Sequence, residues 1–403
     1  MYLVSAAIVL LSTLATFTLD ILQAQPPSAM TTATADAGRP AAAQLAPGTG
    51  RLRVLTQNMY MRPPLVHSNK GDWKDARLDF FIDRILPNYD VVCLQEMFEY
   101  ASSRRSRLLA AAERLGFRHY VVSERKFLWD VGIDGGLAIL SRFPVAATDS
   151  FEYQRGIGPD WMARKGVLYA KVEVRVDGAA APTHVHVFTT HTQASYGEVF
   201  ITQPDVKRRL AQLHEFHSFL EAVLPRHRAA GEPVVLTGDF NVDSRDHRLT
   251  DPEHVRHERD AEDGVATSDE GKAMMDVLQG HGIDPKLLGP DNTDAFKGRT
   301  TIELHDALHE RLGYHPVTFG NIVVDKDGNV RPRETVLTNK QDSTVMHSID
   351  YVLWHNPGES STGIAAALHD VVVAPNFTPE QPFSQISDHY GVRAELRFTL
   401  ADK

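Results

Sequence analysis

Six short polar clusters end or begin apolar runs in this 403-residue chain. They are Thr56-Gln57-Asn58, Leu94-Gln95-Glu96, Thr190-His191-Thr192-Gln193, Gly238-Asp239-Phe240-Asn241, Ser348-Ile349-Asp350-Tyr351 and Ser387-Asp388-His389-Tyr390. A single Asp or Asn after a strand is an ordinary turn former. Six clusters in the same kind of position, where open α/β folds build their sites, carry more meaning. Together they supply three carboxylates, the two asparagine amides of Asn58 and Asn241, two imidazoles and a supporting Asp. Carboxylate, amide and water are the donors that Mg²⁺ prefers, and the absence of thiolates disfavours zinc. A hard cation with histidines suits phosphoester hydrolysis: the metal neutralises phosphate and acidifies a water, and an imidazole moves protons. No glycine-rich phosphate loop followed by Lys-Ser/Thr occurs, which gives no support to P-loop nucleotide hydrolysis.

The elements that must position these residues alternate short apolar runs with helical patterns. Leu52–Gln57, Val91–Gln95, Leu137–Ser141, Val167–Val176, Val185–Thr190, Val234–Thr237, Ile349–Trp354, Ala366–Val373 and Val392–Leu400 read as strands. Val234–Leu236 is solidly apolar, as a central strand is. Two helices stand out. Leu78, Phe81, Ile82 and Ile85 share one face of Asp72–Leu86, and Val206, Leu210, Leu213, Phe216, Leu220 and Val223 recur through Asp205–Leu224. His214 and His217 on the second helix read as surface or core-edge histidines. Residues 244–276 are rich in alternating charges and breakers and read as a mobile surface insertion within one domain. Strands on both sides of helical segments indicate an α/β fold with more than one sheet. No internal repeat appears at solenoid or propeller periods.

Composition narrows the function classes. Hydrophobic residues make up 42% and charged residues 23%, which excludes a disordered or fibrous chain. With 42 Lys+Arg against 52 Asp+Glu, the formal net charge is −10, and duplex DNA binding lacks its cationic surface. A phosphate substrate stays compatible because bound divalent cations can supply positive charge. The single cysteine, Cys93, forbids an internal disulfide and reads as a buried thiol. Residues 1–24 read as an export signal with a small-residue cleavage site near Ala24, the competing reading being a retained membrane anchor. Residues 25–50, rich in Ala, Pro, Thr and Gly, read as a disordered linker. The remainder, 51–403, then forms one catalytic domain.

Taken in order, Gln57-Asn58, Gln95-Glu96, His191, Gly238-Asp239-Phe240-Asn241, Ile349-Asp350-Tyr351 and Ser387-Asp388-His389 resemble the endonuclease/exonuclease/phosphatase (DNase I-like) superfamily. The resemblance spans residues 52–400. It implies a four-layer α/β/β/α sandwich and Mg²⁺-dependent phosphoester cleavage, with Mn²⁺ or Co²⁺ as substitutes. Asp134-Gly135-Gly136-Leu137, Arg164-Lys165-Gly166-Val167, His191-Thr192-Gln193-Ala194 and Ser387-Asp388-His389-Tyr390 resemble its neutral sphingomyelinase branch. Inositol-polyphosphate phosphatases would carry Trp-Cys-Asp-Arg where this chain has Met346-His347-Ser348-Ile349-Asp350.

That resemblance implies a secreted sphingomyelin phosphodiesterase of the phospholipase C type. It implies Glu96 and Asn58 as holders of the metal, with Asp388 and His389 beside it. His389, oriented by Asp388, would activate the attacking water. Asp239 and Asn241 would position water and phosphate, His191 would stabilise developing charge, and Asp350 would orient His191. Lys165 reads as an ordinary exposed strand-end lysine. The chain departs from bacterial sphingomyelinases at Tyr100, where they carry Asn, and at Ile133, where they carry Glu; a peripheral metal site of the bacterial type is not implied. The alternative is an extracellular Mg²⁺-dependent nuclease on the same fold, which the acidic balance disfavours. The substrate partner would be a membrane sphingolipid, met through Phe377 and Phe383 in the proline-rich segment 374–385. No stable nucleic-acid partner and no obligate protein partner is implied.

Overall fold

A computed structural model describes residues 48–400, apart from 65, 127–131, 196–199, 248–265, 339–343, 357 and 359–361. The expected export signal, nearly all of the expected linker and the middle of the expected insertion lie outside the described residues.

Sixteen strands are described in chain order: β1 Thr49–Met61, β2 Val91–Met97, β3 His119–Val122, β4 Ala138–Ser141, β5 Val145–Glu152, β6 Gly166–Val174, β7 Thr183–His191, β8 Val234–Asp239, β9 His305–Asp306, β10 Phe319–Gly320, β11 Ile322–Val324, β12 Val330–Pro332, β13 Met346–His347, β14 Asp350–His355, β15 Ile364–Ala374 and β16 Gly391–Leu400. The helices are α1 Lys74–Phe80, α2 Arg104–Arg114, α3 Pro204–His227, α4 Asp269–Leu278 and α5 Ala307–Leu312. One six-stranded sheet runs β15-β16-β1-β2-β4-β3 and the other β5-β6-β7-β8-β14-β9. Two-stranded pairs β10-β13 and β11-β12 complete the set.

The pleat explains the layering. Side chains alternate between the two faces of a strand. Along β1, Leu52 and Val54 enter the core between the sheets, whereas Leu55 enters the outer core. Leu168 and Ala170 of β6 likewise face the other sheet, and Tyr169 between them faces α3. The inter-sheet core is built from such positions, Val91, Cys93, Val187, Val235, Val352 and Leu396 among them. One outer core packs α1 and α2 on the first sheet through Leu78, Leu108 and Ala112. The other packs α3 and α4 on the second sheet through Leu210, Leu213, Phe216, Met274 and Val277. Each fully buried Val, Leu, Ile or Phe contributes about 1.5–3 kcal/mol of transfer free energy. The result is the expected α/β/β/α sandwich.

β8 lies between β7 and β14, as its solidly apolar run predicts. Cys93 is fully buried in the inter-sheet core, and burial pushes its thiol pKa up to about 12. The expected helix over 72–86 is helical only in pieces: α1 gives way to a wider turn at Phe81–Ile85 and then a short tight one at Leu86–Asn88. The expected insertion also differs. Residues 269–276 belong to α4, because Ala273, Met274, Val277 and Leu278 form an apolar stripe that packs on α3. His217 is buried beneath α4, with Nδ1 2.7 Å from the Leu278 carbonyl, and Glu221 one turn on lies 3.4 Å from Nε2.

Candidate active site

Both sheets deliver their polar strand ends to one place. In the first sheet, Asn58 of β1 sits level with Gln95 of β2, next to Glu96. In the second, His191 of β7 and Asp350 of β14 both register on Asp239 of β8. His389 arrives just before β16, which pairs with β1, and bridges Phe319 of β10. Two glycines make the close approach possible. A Cβ on Gly238 (φ +136°) would lie 2.1 Å from the Thr190 carbonyl oxygen, and one on Gly136 (φ +67°) would lie 3.1 Å from the Glu96 Cα. Glu96 (φ 53°) and Asn241 (φ 51°) are themselves in the left-handed region, a conformation that non-glycine residues adopt at a cost and that clusters at functional sites.

One amide joins two carboxylates from opposite sheets. Asn58 Nδ2 donates to Asp239 Oδ2 at 2.9 Å and to Glu96 Oε1 at 3.2 Å, while its Oδ1 accepts the Tyr60 N–H at 3.0 Å. His191 Nε2 lies 3.4 Å and His389 Nε2 3.8 Å from the same Asp239 Oδ2. His389 Nδ1 donates to Asp350 Oδ2 at 2.9 Å. A carboxylate can only accept there, so the ring's Nε2 is the atom that faces Asp239. Asn241 N–H donates to Asp239 Oδ1 at 2.9 Å, and its amide donates to the Thr192 carbonyl at 3.1 Å. Phe319 tilts against the His389 ring at 4.7 Å between centroids.

Glu96, His191 and Asp239 offer ligand atoms within 4.8 Å of one another, as do Asp239, Asp350 and His389. Two carboxylates gathered on one amide, with oxygen donors predominant and no thiol near, fit a hard divalent cation. The electrostatics set the groups apart. Burial, and then the nearby Asp388, raise Glu96 to about 6. Burial would also raise Asp239, but His389, His191 and Lys165 outweigh it and hold that carboxyl below its ordinary value. Burial, reinforced by the Lys165 ammonium, pushes His191 down to about 3. For His389 burial favours the neutral ring, yet Asp350 and Asp239 prevail and hold its pKa above the usual imidazole value.

Three expectations meet a different geometry. Asp350 lies against His389 rather than His191, because β14 enters the sheet beside β8 with its first residue opposite Asp239. No hydrogen bond joins Asp388 to the His389 ring among the described contacts: its Oδ1 accepts from Ser387 Oγ at 3.3 Å, and that hydroxyl in turn accepts the His389 N–H. Lys165 is buried rather than exposed, donating to Asp160 Oδ2 and to the Thr192 carbonyl, both at 2.6 Å. Its position after Arg164 at a strand start gave no sign of this. Sequence reasoning also passed over Arg77, fully buried on α1. It donates to the carbonyls of Met59 (2.8 Å), Tyr60 (2.8 Å), Asp72 (2.7 Å) and Ile386 (2.6 Å), tying the end of β1 to the segment that leads into His389.

The two rings expected at a lipid surface separate as well. Phe377 is 47% exposed, edge-on to Tyr390 and beneath the Arg333 guanidinium. Phe383 is 1% exposed and packs with Tyr60, Leu337 and Phe80. Thr378 folds the loop back: its N–H donates to the Ser384 carbonyl at 2.8 Å and its hydroxyl to the Phe383 carbonyl at 2.6 Å. Asp134 and Glu99, near the departures at Tyr100 and Ile133, are 3.1 and 3.4 Å from Arg105, so a guanidinium already balances those carboxylates.

Fold and site together define a phosphoester-cleaving type of centre, and the family assignment agrees. The chain belongs to the Endonuclease/Exonuclease/phosphatase family, whose pattern matches residues 55–389. Endonucleases, exonucleases and phosphatases all hydrolyse phosphoesters, and the chain is an enzyme of that class. Within the family it is similar to a sphingomyelinase of Dictyostelium discoideum, 29% identical over 381 residues, covering 82% of this chain and 76% of that one. It is also 31% identical over 202 residues to sphingomyelinase C of Bacillus cereus, covering 47% of this chain and 57% of that protein's length. Among solved structures, beta toxin of Staphylococcus aureus shares the fold at a TM-score of 0.51 and 19% identity, covering 85% of this chain and 99% of that one.

Proposed function

We propose that this chain is a secreted, Mg²⁺-dependent sphingomyelin phosphodiesterase of the phospholipase C type, releasing ceramide and phosphocholine. The observation that carries the reading is the junction of Glu96, Asn58 and Asp239 with the Asp350–His389 pair, in a chain similar over 82% of its length to a sphingomyelinase. Glu96 and Asn58, with Asp388 alongside, would hold the cation, while His389, with Nδ1–H on Asp350 and Nε2 left for the water, would stay outside the ion's ligand set. Bound there, Mg²⁺ supplies positive charge to the phosphate and a more acidic water.

The protein's own groups account for the proton traffic. With Nδ1–H fixed on Asp350, a neutral His389 presents the Nε2 lone pair to a water and takes its proton as the oxygen attacks phosphorus. Asp239 and Asn241 orient that water and the phosphate. The phosphorus–oxygen bond to ceramide breaks, the leaving alkoxide takes a proton from solvent, and His389 returns its proton to solvent, so the products are an alcohol and phosphocholine. His191, the group nearest Asp239 on β7, stabilises the charge that develops on the phosphoryl or leaving oxygen. Among the lipid-facing candidates Phe377 is favoured by its exposure, while Phe383 acts as the loop's internal anchor.

Among the described residues no helix is long and apolar enough to cross a membrane. Secretion rests on residues 1–24 and is checked by N-terminal sequencing of exported protein. The substrate is checked by hydrolysis of sphingomyelin vesicles beside plasmid DNA, each with and without Mg²⁺. Cleavage of the vesicles only, and only with Mg²⁺, is expected; nicking of the plasmid in preference would overturn the reading in favour of a nuclease.

A further inference from the structure

Beyond the groups given a part in hydrolysis, a second convergence of ligating side chains follows β8. Asp243 and His247, four residues apart, meet His347 of β13. His247 Nε2 lies 2.6 Å from Asp243 Oδ2, and His347 Nε2 lies 3.8 Å from that same oxygen. All three ligand atoms fall within 4.8 Å of one another. The carboxylate is held from behind. Asp243 Oδ1 accepts the backbone N–H of Arg245 at 3.1 Å and of Ser348 at 2.9 Å, and its carbonyl accepts the Ser268 hydroxyl at 2.6 Å. A plain Asp–His ion pair one turn apart would need neither the second imidazole nor this anchoring.

We propose that Asp243, His247 and His347 form a second divalent-metal site, separate from the Glu96 cluster, that takes a borderline cation such as Zn²⁺ or Co²⁺ in preference to Mg²⁺. The donor set carries the choice. Two imidazole nitrogens and one carboxylate oxygen suit zinc-like ions, whereas Mg²⁺ seeks oxygen and keeps its waters. The geometry is close to what such an ion needs. Metal–ligand bonds of about 2.0–2.1 Å in a tetrahedron set ligand atoms about 3.3 Å apart. The two observed separations from Oδ2 bracket that spacing, one opening and the other closing by less than about 1 Å. His247 is partly exposed, so side-chain rotation accomplishes the change. The anchored Oδ1 provides the outer support that fixes a ligating carboxylate. With three protein donors a fourth position stays open to solvent. The ion would tie the chain after β8 to β13, three residues before Asp350.

The test uses the full chain, stripped of metal and then held in excess Mg²⁺ to fill the Glu96 cluster, titrated with Co²⁺. The visible absorption of low-coordinate Co²⁺ reports occupancy and Zn²⁺ displaces it. His247→Gln and His347→Gln are each expected to weaken Co²⁺ binding by more than about tenfold to hundredfold, the cost of losing an outer partner of a ligand, and Glu96→Gln to leave it unchanged. Circular dichroism and metal-free melting check the fold; His247 is exposed enough for its variant to decide the matter alone. Undiminished binding in His247→Gln, loss of binding in Glu96→Gln, or displacement of Co²⁺ by Mg²⁺ at comparable concentration would each overturn the site.

Discussion

His191 and His389 approach the same Asp239 oxygen, at 3.4 and 3.8 Å, yet their surroundings drive them in opposite directions. His191 lies at the end of β7 with a buried Nδ1 that makes no hydrogen bond among the described residues, and with the Lys165 ammonium near. Both effects disfavour a proton, so the ring is neutral throughout the physiological range. His389 has a carboxylate on each side, and the Asp350–His389 pair titrates as a unit. On the proposed reading the two imidazoles of one cluster would have different work: one would take or give a proton, and the other would contribute a fixed dipole. Environments that push like groups apart are how a fold assigns acid and base roles.

The strongest way to break this division is to remove what it shares. Glu96→Gln is expected to abolish Mg²⁺-supported turnover with the fold intact, measured as phosphocholine release together with circular dichroism. Next, His389→Ala should lower kcat by about 10²–10⁴-fold, the usual span for a general acid or base, while vesicle binding is retained. Near-normal kcat in that variant would remove His389 from proton transfer.

A finer test separates orientation from chemistry. Asp350→Asn removes a negative charge that favours the imidazolium form, so the pKa of His389 falls. Because the base must be neutral, activity rises as pH climbs through that pKa, and the acidic limb should move to lower pH in the variant. Its plateau should drop by about 10–100-fold through lost orientation. An unmoved limb would mean that another group controls it.

The smallest effects concern the loop before His389. Phe383→Ala should cost about 3–5 kcal/mol of stability, read from denaturant melts, because the ring is buried. Phe377→Ser should change stability by less than about 0.5 kcal/mol, as surface substitutions do. If Phe377 meets lipid, it should weaken hydrolysis of vesicles while sparing a soluble short-chain substrate. Equal losses on both substrates would count against contact with lipid.

Much of this protein is legible along the chain. Apolar runs, alternating or continuous, mark nine of the strands, and a three- and four-residue apolar spacing marks the long α3, because burial imposes these patterns locally. The polar residues of the site were visible for a related reason: each ends or begins the run that carries it. Short elements escaped. β3 is four residues long, β5 is mostly exposed, and α2 buries only Arg105, Leu108, Ala111 and Ala112, too few to imprint a period. What the linear order could not decide was partnership. Asp350 precedes His389 by 39 residues and follows His191 by 159, and only the β8–β14 register puts it on His389. Phe377 and Phe383 look alike in sequence, and one threonine's hydrogen bonds turn one inward and leave the other outside. The burial of Lys165 and Arg77 was hidden for the same reason. A cation inside a protein is stabilised by carbonyls and carboxylates from distant segments, and those distances are set only when the sheets pack.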